Sequence, residues 1–160
     1  MDNRIVLNTG PIIAFGKMGC IDVIRELPFE FYAPEQVRAE IINGNQLGYP
    51  IAFPVWIGVI SLSASLSKLT LSSLDAGEAA VIESAVQNDI SRVCIDDQKG
   101  RRAAMATGLS ILGSLGMIGR AKELGLISDA GRLIRKAQSL GYHYDQKLVS
   151  SVLKGLGEHD

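Results

Sequence analysis

The sequence predicts an α/β layer structure built on a mainly parallel sheet. Short apolar runs such as Ile5–Leu7, Val93–Ile95 and Leu109–Leu112 alternate with longer segments of helical period. Each run stops at a polar or glycine break that can start a helix, the pattern that βαβ connections produce. The chain has 160 residues, 47% of them hydrophobic, which suits one domain with a real core rather than disorder.

The first strand is expected at Ile5–Leu7, and Asn8-Thr9-Gly10-Pro11 breaks it and opens a helix to Met18. Gly19 separates that helix from a second one at Asp22–Leu27. Phe29–Tyr32 reads as the next strand. Pro34 suits the first position of a helix running to about Ile42, which Asn43-Gly44-Asn45 ends. Trp56–Leu62 reads as another strand, and the serine-rich stretch Ser61–Ser73 as loop or irregular edge. Asp75-Ala76-Gly77-Glu78 opens a helix with Ala79, Ile82, Ala85 and Val86 on one face. After the Val93–Ile95 strand come a helix at Arg101–Thr107, the Leu109–Leu112 strand and a helix to Leu124. Helices at about 129–140 and 145–156 close the chain as an extension of the same domain, spanning 1–160.

Composition narrows the function. The net charge of −1 argues against general nucleic-acid binding, yet basic residues collect between Gln98 and Lys136, where Glu123 and Asp129 alone oppose them. Solvated helix faces and a phosphate-facing patch explain that run equally well. The longest apolar stretch, Ile51–Ile60, is too short to span a bilayer and carries Pro54. Two cysteines, Cys20 and Cys94, and no leader-like segment lead us to expect a cytoplasmic protein with no membrane association. The histidines, His143 and His159, have no metal-binding neighbours in sequence, and the glycines at 113, 116 and 119 make no phosphate loop.

Acidic residues carry the chemistry. Ligand sites of open parallel sheets gather at the carboxyl ends of the strands. Asn8 ends the first strand, and the adjacent Asp96 and Asp97 end a later one, so neighbouring strands would bring them to one edge. Glu78 in a first helical turn and Glu40, bordering the apolar stripe of Val37 and Ile41, could join them. Each has a plain structural role as well. Asp75 and Glu78 have capping-box spacing, one of Asp96 and Asp97 is expected to cap the next helix, Asn8 suits a turn and Glu40 a surface helix. Two adjacent aspartates cannot both be caps, so the second is the informative one.

Taken in order, IVLNTGPIIAF, APEQVRAEI, LDAGEAAVIESA, VCIDDQKGRRAA and ILGSLGMIGRAKELGLI resemble the PIN-domain family, especially its prokaryotic branch with an LDxGE helix start and a DD-to-Arg segment. The resemblance covers roughly Arg4 to Leu140. It implies a three-layer fold with helices flanking the sheet, and a Mg²⁺- or Mn²⁺-dependent endoribonuclease, with a toxin-like role under restraint by an antitoxin-like protein as one form of it. Carried over, the acidic positions fall on Asn8, Glu40, Glu78 and either Asp96 or Asp97, with Asn8 standing where active members usually have aspartate. Glu40, Glu78, Asp96 and Asp97 are then the expected catalytic residues, and with Asn8 the metal ligands. Thr9, Lys99, Arg101, Arg102 and Ser114 form the expected substrate-binding set for single-stranded or structured RNA; pairing with the carboxylates is an equal alternative for Arg101 or Arg102. A homodimer is expected too, with spare apolar surface near Trp56 and on the terminal helices. The runner-up is a catalytically weak PIN-like module that binds RNA or protein. A receiver domain, with its own paired aspartates, fits poorly because its pair follows the first strand.

Overall fold

In the computed structural model, residues 2–46, 51–63 and 74–159 are described. Five strands, β1 (Arg4–Leu7), β2 (Glu30–Pro34), β3 (Gly58–Ile60), β4 (Arg92–Cys94) and β5 (Ser110–Leu112), form one sheet in the order β3-β2-β1-β4-β5. Every pairing is parallel, so the expected mainly parallel sheet is wholly parallel among the described residues. Ile5, Val6 and Leu7 of the central strand are fully buried, as a strand covered on both faces requires.

Eight described helices flank the sheet: α1 (Thr9–Met18), α2 (Ile21–Ile24), α3 (Glu35–Gln46), α4 (Ala76–Gln87), α5 (Gln98–Ala106), α6 (Ser114–Glu123), α7 (Ala130–Ser139) and α8 (Gln146–Gly155). α4 packs on β1, β2 and β4 and against α3 and α5. Its Ala79, Ala80 and Ala85 are fully buried, and small side chains of that kind allow close approach to the sheet. α6, α7 and α8 pack on one another, with α1 against α6 and α7, giving the three-layer α/β arrangement.

Several boundaries differ from the sequence reading. The second helix is one turn, Ile21–Ile24. Pro34 ends β2, opposite Ile60, and the helix begins at Glu35, so β2 runs into α3 without a loop. α3 continues through Asn43-Gly44-Asn45 to Gln46, because burial of Val37 and Ile41 outweighs weak helix propensity in its last turn. The expected Trp56–Leu62 strand contracts to Gly58–Ile60, while Trp56 packs edge-on against Phe31 with ring centroids 5.2 Å apart. The expected serine-rich loop lies, from residue 64 on, outside the described residues.

The strand order fixes where function can gather. β1 leads outward to β2 and β3 on one side, and β4 and β5 are added on its other side, so the strand order reverses between β1 and β4. That is a topological switch point, where side chains at the carboxyl ends line an open crevice. The Asn8 backbone N–H donates to the Cys94 carbonyl across this junction (3.0 Å).

Candidate active site

A pocket of about 880 Å³ opens at the β1/β4 switch point, lined among others by Asn8, Glu40, Glu78, Asp96 and Asp97. Residues from four separate stretches of the chain therefore share one cavity. Asn8 stands at the N-cap position of α1 but makes no side-chain cap bond, and only 7% of its surface is exposed. The turn role foreseen for it is thus not what holds it there.

Glu40 arrives from α3 and accepts a hydrogen bond from the Thr9 hydroxyl (2.9 Å). Its carboxylate lies against Gly77 in the first turn of α4, where a Cβ would collide with Oε1. A helix N-terminus favours a negative charge placed there. Even so, burial raises the Glu40 pKa; the Thr9 bond opposes the rise, and the Asp75 charge adds to it.

Glu78 sits in the first turn of α4. Its backbone N–H is taken by the Asp75 carboxylate (2.8 Å), the capping geometry foreseen from sequence. The side chain packs towards Gly100 in the first turn of α5. Burial, then the charges of Asp75 and Asp97, push its pKa from the ordinary 4.5 up to about 7. Asp97 thus faces Glu78 as a like charge and adds to that rise.

The adjacent aspartates divide their tasks. Asp97 caps α5, accepting from the Gly100 N–H (3.0 Å), and turns towards Glu78. Asp96 turns the other way. Its Oδ1 accepts the Ser114 N–H (2.7 Å), and its Oδ2 accepts the hydroxyls of Ser114 (2.6 Å) and Tyr142 (2.5 Å). The Ser114 hydroxyl also meets that of Tyr144 (2.5 Å).

The basic and polar residues expected at the substrate are distributed unevenly. Thr9 and Arg101 line the pocket; Lys99 and Arg102 are exposed on α5 away from its lining. Ser114 is fully buried behind Asp96. Arg101 donates to the Ile95 carbonyl (3.0 Å), and no ion pair among the described residues joins Arg101 or Arg102 to the site carboxylates. The backbone carbonyl at the strand end outcompetes the carboxylates for that guanidinium.

Sequence reasoning missed one whole wall. Tyr142, His143, Tyr144 and Asp145, between α7 and α8, line the same pocket. Two tyrosines flanking a histidine give no local sign that they meet a carboxylate 46 residues earlier.

The oxygen donors of Asn8, Glu40, Glu78 and Asp97 suit a hard divalent cation such as Mg²⁺ or Mn²⁺, which is commonly held by one or two carboxylates with water and substrate phosphate. Among the described residues no three His, Cys, Asp or Glu side chains stand as a ready-made cage. Glu78 and Asp97 adjoin, and burial together with the charges of Asp75 and Asp97 disfavours the ionised form of Glu78.

No curated protein and no solved structure matches the chain. A family model described as PIN domain matches residues 4–158, which takes in the wall at 142–145 and both terminal helices. The all-parallel sheet, its carboxylate-lined switch point and that match agree: the chain belongs to the PIN-domain family.

Proposed function

We propose that the protein is a Mg²⁺- or Mn²⁺-dependent endoribonuclease. PIN domains are generally nucleases and typically depend on divalent metal. The observation that carries the reading for this chain is the convergence of Glu40, Glu78 and Asp97 on one pocket, with the pKa values of both glutamates raised.

In this reading Glu78 and Asp97, with the Asn8 amide oxygen, hold the cation, and Glu40 completes the acidic face. When bound, the cation lowers the pKa of a water and offsets charge on the phosphate. Glu40, raised by burial and outside that ligand set, is the carboxylate free to take a proton from an attacking water or return it to a leaving oxygen. Thr9 keeps Glu40 oriented, and Asp97 fixes the start of α5. Asp96 acts at one remove, holding Ser114 and Tyr142 in place.

The toxin-like role, restraint by an antitoxin-like protein, and self-association belong to the same proposal. Their support is the family and the exposed Leu140 and Leu148 at the terminal helices. The binding-module alternative keeps one specific observation in its favour, the amide at Asn8 in place of a carboxylate.

The deciding experiment offers single-stranded and structured RNAs to repurified protein with Mn²⁺, with Mg²⁺ and with chelator. Metal-dependent cutting that disappears in Asp97→Asn supports the nuclease. RNA binding without cutting in any metal would establish the binding module instead.

A further inference from the structure

The segment from Gly141 to Asp145 is fastened at every alternate point. Before it, the Lys17 ammonium donates to the Leu140 carbonyl (2.6 Å), and Gly141 turns the chain with φ of 93°, a conformation that favours glycine. Tyr142 is tied to Asp96 and Tyr144 to Ser114, and their rings meet edge-on with centroids 5.0 Å apart. At the far end Asp145 caps α8 through the N–H groups of Lys147 and Leu148. With Tyr142 and Tyr144 tied inward, His143 between them is exposed and lies on the pocket lining.

That placement matters because the pocket is acidic. Among the described lining residues, Arg101 and His143 alone have side chains that can carry positive charge, and Arg101 spends a donor on the Ile95 carbonyl. A polyanion entering beside Glu78, Asp97 and Asp145 needs N–H donors at the mouth to offset repulsion. An imidazole supplies one in either protonation state.

We propose that His143 is a substrate-binding residue, donating a hydrogen bond to an RNA phosphate at the mouth of the acidic pocket, and that the Tyr142–Asp96 and Tyr144–Ser114 bonds are the fastening that holds it there. This rests on the ribonuclease reading and adds a contact to it.

The test uses the full chain, a labelled mixed-sequence single-stranded RNA, and three versions: natural, His143→Ala and His143→Gln. Affinity is read by fluorescence anisotropy in chelator, cleavage in Mn²⁺ is resolved into kcat and KM, and thermal melting is recorded for each. His143→Ala is expected to weaken binding and raise KM about tenfold, the scale of one hydrogen bond to a charged group, with kcat and melting unchanged. His143→Gln, which keeps a donor, should recover most of the loss. Unchanged affinity and KM in His143→Ala overturn the inference alone, as does a loss confined to kcat or a lowered melting point in both variants. If the natural chain neither binds nor cuts RNA, the ribonuclease reading falls and this inference with it. If it binds without cutting, the affinity measurement still decides the matter for His143.

Discussion

The two sides of the pocket treat negative charge in opposite ways. On one, Asp96 is surrounded by neutral donors: a backbone N–H and two hydroxyls, each within 2.7 Å. On the other, burial and then the facing carboxylates of Asp75 and Asp97 raise the pKa of Glu78 to about 7. One carboxylate is satisfied by the protein and the other is not. The satisfied side ties the end of β4 to α6 and to the tyrosine wall. The unsatisfied side has the electrostatics of a place where a cation belongs.

The largest effect expected from this contrast is on Glu78. Glu78→Gln removes a charge from the crowded side yet keeps the backbone cap to Asp75. Cleavage should fall by about a hundredfold or more, the cost of losing a principal electrostatic group in an active site. Metal-free protein should melt at a higher temperature, since repulsion is relieved. A variant with full activity, or one destabilised without metal, would show that the crowding is not functional.

Asp96→Ala tests the other side and should behave in reverse. It strips the acceptor from the Ser114 N–H and from the Tyr142 hydroxyl, while the Ser114 hydroxyl keeps Tyr144, and leaving such groups unpaired costs about 1–3 kcal/mol each. Denaturant unfolding should therefore show a loss of a few kcal/mol, with Asp96→Asn milder because an amide oxygen still accepts. If Asp96→Ala is as stable as the natural chain, the hydroxyl network is not holding the wall.

Acidity separates the sides once more. Glu78 has a folded pKa of about 7 against an ordinary 4.5, so between those values the folded state binds more protons than the unfolded one. Stability of the metal-free protein should then fall as pH rises from about 4.5 to 7, and added Mn²⁺ should flatten the decline. Glu158 provides an internal control far from the pocket. Burial raises its pKa, but bonds from Lys122, Gly131 and Ala130 outweigh that and bring it down to about 2. Its contribution is complete above 4.5 and lost as pH falls towards 2. Melting temperature across pH 2–8, in chelator and in Mn²⁺, should show metal acting on the upper window alone.

The sheet and most helices were legible because their signals are local. Asp75, Asp97, Asp129 and Asp145 all cap helices, each a short polar residue just before a periodic run. The meeting of Asn8 with Asp96 and Asp97 followed from strand ends, and needed only that β1 and β4 be neighbours. Two features could not be read this way. Which of the two aspartates capped α5 depended on the direction each side chain took after Ile95, and that was set by Ser114 and Tyr142 from later in the chain. The tyrosine wall depended on the packing of α7 and α8, so its residues looked like an ordinary connection between two helices. His143 passed for an isolated histidine for the same reason.

The smallest expected effect lies at the junction of the two sides, at Asn8. Its amide oxygen can ligate a hard cation, as asparagine does in calcium loops, but it carries no net charge. Asn8→Asp would add a carboxylate that is 7% exposed at the switch point. One unit charge pair at about 4 Å is worth roughly 4 kcal/mol at an effective dielectric of about 20, before desolvation and screening. Most of that is offset in the metal-free protein, where the new charge also faces Glu78 and Asp97 across the pocket. The variant should therefore bind Mg²⁺ about tenfold more tightly, equal to about 1.4 kcal/mol, and cut RNA faster. Without metal it should melt lower, because the crowded side has gained a carboxylate with no partner. Calorimetric metal titration and cleavage rates at matched pH and salt measure both. Unchanged affinity and rate would remove Asn8 from the site. Tighter metal binding with no cutting by either version would turn the reading towards the binding module.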